Sequence, residues 1–253
     1  MLLVLSVAFA AGSAVCDVSA VDSLDVKIDS MAVKTDTVGM KVDSLAVMKA
    51  DTAVVAGNDK YYKLTEEDYN RVAAELGIDV ATMKAVVEIE AGNSHQGFVE
   101  PGVPLINFDL VVFKRFMRKA GKSYSKYTKS TAFRRPDISK YGSYGKAQWA
   151  RLESARKINE EIANKATFWG MFQIGGFNWK QCGCKSLDEF IRRMSESEAG
   201  QLELFAQFCK SNNLVRFLKA HDWNGFAYRY NGPGYKKRNY HVKLRRAHSK
   251  HSK

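Results

Sequence analysis

Residues 83–98, MKAVVEIEAGNSHQGF, carry two carboxylates two positions apart, Glu88 and Glu90, at the end of an apolar run. On a helix turning about 100° per residue, Val80, Met83, Val86 and Val87 share one side, and Glu90 falls in its middle. Glu88 falls opposite, beside Ala81 and Lys84, and the i, i+4 spacing predicts a Lys84–Glu88 pair. Glu88 therefore reads as a solvated residue, and Glu90 as a carboxyl aimed at the core from a helix C-terminus. Apolar surroundings and the negative end of a helix dipole both raise a carboxyl pKa. A raised pKa suits a general acid at neutral pH. The bland alternative is a glutamate paired with a buried arginine.

The elements that must hold Glu90 in place are written around it. Thr65 followed by Asp68 is close to a capping box, Val72 and Leu76 supply an apolar stripe, and Gly77 ends the helix. Asp79 can cap a second helix over 80–90. Downstream, TFWGMFQIGGFNW (167–179) packs aromatics around glycine-rich turns that include Gln173 and Asn178. SESEAGQLELFAQFCK (195–210) shows Ser195 and Glu198 at capping-box spacing and a stripe of Leu202, Phe205, Ala206 and Cys209. DWNGFAYRYNGPGY (222–235) runs from a helix cap into a turn of Asn231, Gly232, Pro233 and Gly234. Rings beside amides suit sugars, since flat faces stack on pyranoses and amides bond hydroxyl and acetamido groups. Each stretch alone is better explained by core packing and a turn.

Together, in this order, the motifs resemble the lysozyme-like superfamily of goose-type lysozymes and soluble lytic transglycosylases. They are most similar to the N-acetylmuramidase domain of phage endolysins and bacterial wall hydrolases. The resemblance runs from Leu64 to about His248. It rests on Ile89-Glu90-Ala91-Gly92, Ile106-Asn107-Phe108-Asp109, Phe168 to Asn178, Ser197-Glu198-Ala199-Gly200-Gln201-Leu202, Tyr230 to Tyr235, and Asn239 to Leu244. Ala91 and Phe168 stand where the family commonly has Ser, and Asp109 where it has Glu. The basic, Tyr- and Ser-rich stretch 118–147 has no counterpart in the matched pattern.

The resemblance implies a mainly α, two-lobed helical domain with a groove and a small β-element within 98–147. It implies cleavage of the β-1,4 bond between N-acetylmuramic acid and N-acetylglucosamine in peptidoglycan, with Glu90 as general acid. Asp109 is the candidate second carboxylate, or else a structural partner of a nearby arginine. Trp169, Gln173, Asn178, Tyr230, Asn231 and Tyr235 are expected to line the saccharide groove. A substrate that cyclises on itself would leave a 1,6-anhydro product, as lytic transglycosylases do. A lysozyme-like fold that binds the wall without cutting it is the rival from another class. No metal site and no cofactor is implied.

Composition agrees with a wall-directed protein. Residues 17–55 hold seven Asp and four Lys, whereas the rest of the 253-residue chain holds 35 Lys and Arg against 20 Asp and Glu. Such a surface attracts polyanions, and anionic envelope polymers are the expected partners. No nucleic-acid-binding signature is visible, so nucleic acid is not expected. The tail KKRNYHVKLRRAHSKHSK has eight Lys and Arg and no acid, and reads either as a solvated basic helix or as an envelope contact. Residues 1–16 resemble a signal-peptide core, which predicts export to the periplasm or exterior, with cleavage, lipidation at Cys16 or retention as a tether all open. Residues 21–48 repeat every seven positions as VDSLDVK, IDSMAVK, TDTVGMK, VDSLAVM. That pattern fits a short oligomerising stalk over about 21–55, a disordered spacer or a β-repeat, and the domain is expected to begin at residue 59. Cys182, Cys184 and Cys209 read as small buried or surface thiols, or as one bridge from Cys182 or Cys184 to Cys209 in an exported protein.

Overall fold

The structure is a computed structural model that describes residues 63–91 and 97–253. The signal-like segment, the heptad repeat and the expected boundary at residue 59 lie outside the described residues.

Helix α1 (Glu66–Leu76) opens on the capping box of Thr65 and Asp68 and closes on Gly77 at φ 63°, a left-handed conformation that favours glycine. Helix α2 (Val80–Ala91) starts at Asp79, whose carboxylate accepts from the Thr82 N–H and Oγ1, both at 2.7 Å. Strands β1 (Phe98–Glu100) and β2 (Val103–Pro104) form a small antiparallel hairpin. Strand β3 (Ile106–Phe108) then leads into α3 (Leu110–Lys119), and two 3₁₀ turns follow. The short α4 (Ile138–Tyr141) precedes α5 (Tyr144–Lys165), which kinks at Asn159. The Asn159 Oδ1 accepts from the Ile162 N–H at 3.0 Å and so recaps the chain beyond the kink.

Strands β4 (Thr167–Trp169) and β5 (Ile174–Gly175) return beside β3, giving the antiparallel order β3-β4-β5 with Ile106 opposite Trp169 and Trp169 opposite Ile174. The β-element thus begins inside 98–147, as expected, but is completed by residues about sixty positions later. The chain ends with α6 (Leu187–Glu196), α7 (Glu198–Ser211), α8 (Val215–Lys219), α9 (Trp223–Asn231), a 3₁₀ segment (Pro233–Arg238) and α10 (Tyr240–His251). The mainly helical architecture with small sheets matches expectation. Among the described residues no helix is long and apolar enough to cross a membrane.

Helix α7 contributes buried residues from several of its faces to the core. Leu202, Phe205, Ala206 and Cys209 are buried as the stripe predicts, but so are Leu204, Phe208 and Gln201, because other elements cover its remaining faces. The Ser195–Glu198 capping box does not form. Ser195 lies in the last turn of α6, where its hydroxyl donates to the Ile191 carbonyl at 2.8 Å. Ser197 is the residue that caps α7, accepting from the Gly200 N–H at 3.0 Å. Cys182, Cys184 and Cys209 are buried free thiols, not a bridge.

The second correction concerns Glu88. Lys84 pairs with Glu66 at 2.7 Å, not with Glu88. Glu88 is only 20% exposed and pairs with Lys250 at 2.9 Å and His251 at 2.8 Å. Helix α10 lies along α2 and covers the face that looked solvated, so Thr82 and Ala85 are buried as well. The basic tail is therefore a docked helix. Leu244 and Ala247 are its buried contacts, and Lys243, Arg245 and Arg246 face outward.

Candidate active site

Glu90 sits in the last turn of α2. Its Oε1 has no accessible surface and, among the described residues, no hydrogen-bond partner. Desolvation by burial holds the carboxyl well above the usual carboxylate range. Among the described residues no arginine pairs with it. Instead the Cys209 thiol and the Tyr230 phenol both feel its charge, and both are pushed up, by burial first and by Glu90 second. The Tyr230 hydroxyl donates to the Phe172 carbonyl at 2.8 Å. Its ring stacks on Phe226 at 5.4 Å and meets Phe205 edge-on at 5.6 Å. Glu90 as a residue is half-buried, but its carboxyl is desolvated close enough to the Cys209 thiol and the Tyr230 phenol to act on both. Such desolvation favours the protonated acid, which is the form that can donate to a leaving group.

Asn231 follows Tyr230 at the end of α9, and its Nδ2 is a second buried polar atom without a partner. Gly232 turns the chain at φ 73°, ψ −176°, a region essentially closed to side chains. That explains the glycine of the Tyr-Asn-Gly motif. Among the described residues, Glu90 Oε1 and Asn231 Nδ2 are an unpartnered buried acceptor and donor, groups of the kind a bound molecule could satisfy.

The remaining expected groove residues divide. Gln173 closes the four-residue β4–β5 turn in the left-handed region (φ 49°), and its Nε2 donates to the Gly170 carbonyl at 2.8 Å. Asn178 ends the 3₁₀ turn after β5 and is half-buried. Trp169 is 0% exposed, with its indole N–H donating to the Asn164 carbonyl at 3.2 Å. It pairs between β3 and β5 and cannot line an open groove. Tyr235 is only 7% exposed and its hydroxyl donates to Asn224 Oδ1 at 3.4 Å. Tyr228, edge-on to Tyr235 at 6.2 Å, is 54% exposed, and Tyr230 is half-buried.

Asp109 is built as a helix cap. Its Oδ1 accepts from the Val111 N–H at 2.7 Å and the Val112 N–H at 2.9 Å, opening α3. The buried Arg151 feels its charge, but the guanidinium donates to the Phe108 carbonyl at 3.1 Å and to Gln148 Oε1 at 3.0 Å. Among the described residues no ion pair joins Arg151 to Asp109.

Two polar constellations were missed from sequence. In the first, Gln148 Nε2 donates to Asn107 Oδ1 and to the Tyr144 hydroxyl, each at 2.7 Å, while its Oε1 accepts from Arg151 and the Phe108 N–H. Tyr144 and Gln148 stand at i, i+4 on a helix that starts within the stretch left unmatched, and that spacing was the available signal. In the second, fully buried Gln201 accepts from the Met171 N–H at 2.8 Å. It donates to the Gly97 carbonyl at 3.0 Å and to the Met194 carbonyl at 2.9 Å. Its neighbour Glu198 accepts from the Gly97 N–H at 3.0 Å, and burial raises its carboxyl to about 7. Gly170 is at φ 69°, where a side chain is strained, and a Cβ there would stand 2.7 Å from Gln201 Oε1 and displace that amide. Glu198 and Gln201 therefore fasten the chain just beyond Glu90 to the turn that carries Gln173.

The profile of the N-acetylmuramidase family matches residues 79–252. The chain is also similar to the crystal structure of the Burkholderia AP3 phage endolysin, at 33% identity and a TM-score of 0.63, over 76% of this chain and 71% of that one. No curated protein matches it.

Proposed function

The chain belongs to the N-acetylmuramidase family of glycoside hydrolases acting on peptidoglycan, and from that premise we propose that Glu90 is its general acid. The scissile bond is the β-1,4 linkage between N-acetylmuramic acid and N-acetylglucosamine. The observation that carries this is the buried, unpartnered Oε1 of Glu90 at the end of α2. Glu90 would hold its proton in this desolvated position and deliver it to the glycosidic oxygen as the bond breaks. Gln173, Asn178, the Asn231 amide and the ring of Tyr230 would contact the saccharide. The Tyr230 hydroxyl, already bonded to Phe172, would not.

One essential acid fits this arrangement better than two. The Asp109 carboxylate already serves two backbone N–H groups. Water or the substrate's own acetamido group would then complete the reaction. Asp109→Asn is expected to keep lytic activity within a few-fold, and stability within a few tenths of a kcal/mol, because Asn caps helices about as well as Asp. Asp109→Ala is expected to cost about 1 kcal/mol in denaturant unfolding. A hundredfold loss of turnover in folded Asp109→Asn would make it the second carboxylate after all.

The deciding experiment incubates the protein with purified sacculi and identifies the new chain ends. Reducing muramic acid is expected. Anhydromuramic ends would make the enzyme a transglycosylase, and no soluble release would leave a binding module. The outward Lys and Arg of α10 and the preceding 3₁₀ segment are suited to anionic wall polymers, so association should weaken as salt rises. Action on the wall places the working enzyme in the periplasm or outside the cell.

A further inference from the structure

Three side chains from separate stretches converge at the start of α2. His221 Nε2 lies 2.8 Å from Asp79 Oδ2, and His248 Nε2 lies 3.2 Å from Asp79 Oδ1. One ligating atom from each residue falls within 4.8 Å of the other two. The imidazole rings are 4.4 Å apart. A tetrahedral ion with ligands at about 2.0–2.1 Å holds its donors about 3.3 Å apart, so small side-chain shifts would bring these three around one cation.

Each donor is held from behind, as metal ligands commonly are. Thr82, fully buried, fixes the Asp79 carboxylate through its N–H and hydroxyl. Trp223 stacks on His221 at 5.4 Å and 11°, and meets His248 at 5.3 Å. His221 is a non-glycine residue in the left-handed region (φ 50°), and its N–H is tied to the Leu218 carbonyl at 3.1 Å. Asp79 and His221 are exposed and His248 is half-buried, so an ion has access and can retain water in a fourth position.

We propose that Asp79, His221 and His248 form a binding site for Zn²⁺ or a similar divalent transition-metal cation, which clips α10 and the α8–α9 turn to the start of α2. Two imidazole nitrogens and one carboxylate oxygen suit such an ion, and offer too few oxygens for Ca²⁺ or Mg²⁺. Binding takes the lone pair of each Nε2, and any proton there moves to Nδ1 or is released to solvent. The site is separate from the chemistry. Asp79 precedes Glu90 by eleven residues, about 16 Å along the helix at 1.5 Å per residue. Its effect is to fasten the scaffold of the helix that carries the acid.

The test strips the full chain with a chelator and titrates Zn²⁺ by calorimetry, with Co²⁺ absorption as a report on the ligand set. One equivalent of Zn²⁺ should bind and raise Tm in a concentration-dependent way. Asp79→Asn keeps a capping side chain, and His248→Gln and His221→Gln keep hydrogen-bonding ones. Each should weaken binding by at least about tenfold, the lower bound seen when even an outer-shell partner is lost. Far-ultraviolet circular dichroism of the metal-free variants establishes which are folded, and the comparison uses those. Absence of saturable binding overturns the proposal. So does Zn²⁺ binding that the folded variants leave unchanged, with Cys182, Cys184 and Cys209 as rival donors. Neither readout depends on lytic activity.

Discussion

Glu90→Gln is expected to cut release of soluble fragments from sacculi by about 10²–10⁴-fold, the range a positioned general acid contributes, while the protein stays folded. Glu88→Gln should leave turnover nearly intact, because Glu88 holds Lys250 and His251 on α10 and not the substrate face. A dead Glu88→Gln and an active Glu90→Gln would reverse the assignment. The same Glu90 substitution should also stabilise the protein at neutral pH. Burial raises the folded-state pKa of Glu90 above its unfolded value, so the native state holds the proton longer. Stability is then fully present below the unfolded carboxyl pKa and declines as pH rises toward the folded one. Glu198 acts with the same sign, between its ordinary 4.5 and about 7. Thermal melts of the wild type and Glu90→Gln should therefore coincide near pH 4 and separate toward neutrality, with the variant higher. Activity should fall along the alkaline limb as Glu90 itself loses its proton.

Gln201→Leu is expected to produce the largest loss of stability, about 3 kcal/mol or more by denaturant unfolding. The side chain has no exposure and serves three backbone groups from three segments. Leucine fills similar volume but strands the Met171 N–H and the Gly97 and Met194 carbonyls, at about 1–3 kcal/mol for each buried group left unpaired. Turnover of whatever remains folded should fall too, since Met171 lies in the turn that carries Gln173 and Gly97 follows Glu90 by seven positions in the chain. Gln201→Glu is the informative companion. It keeps the acceptor for Met171 and loses the two donations, so it should fall between wild type and Leu, and recover partly at acid pH. A Gln201→Leu protein as stable as wild type would remove the clamp from the account.

What could be seen in the sequence was whatever depends on neighbours three or four positions away. The Thr65–Asp68 capping box, Gly77 in its left-handed conformation and the caps at Asp79 and Asp222 all form as their spacing predicts. The phase of α2 likewise put Glu90 among Met83, Val86 and Val87, and they are buried. Those features are set by helix geometry and backbone hydrogen bonding within one turn, and no distant residue is needed to define them. The order of the Glu90, Gln173 and Asn231 motifs added the family.

The failures share the opposite property. Glu88 found partners 162 and 163 positions away. Trp169 was enclosed by strands from both sides of α5. Glu198 was drawn from an imagined cap to the Gly97 N–H, 101 positions distant. A side chain's burial depends on which remote elements cover it, and a helical wheel has no term for them. The sequence by itself therefore determined which carboxylate is a candidate acid and which caps and turns hold its helix. Only the tertiary structure decided what surrounds that acid, which aromatics remain accessible to solvent, and that the basic tail folds back to cover the other face of the same helix. The physical reason is range. Capping and helical phase are local to a turn, whereas desolvation and hydrogen-bond satisfaction are settled by contacts between segments far apart in the chain.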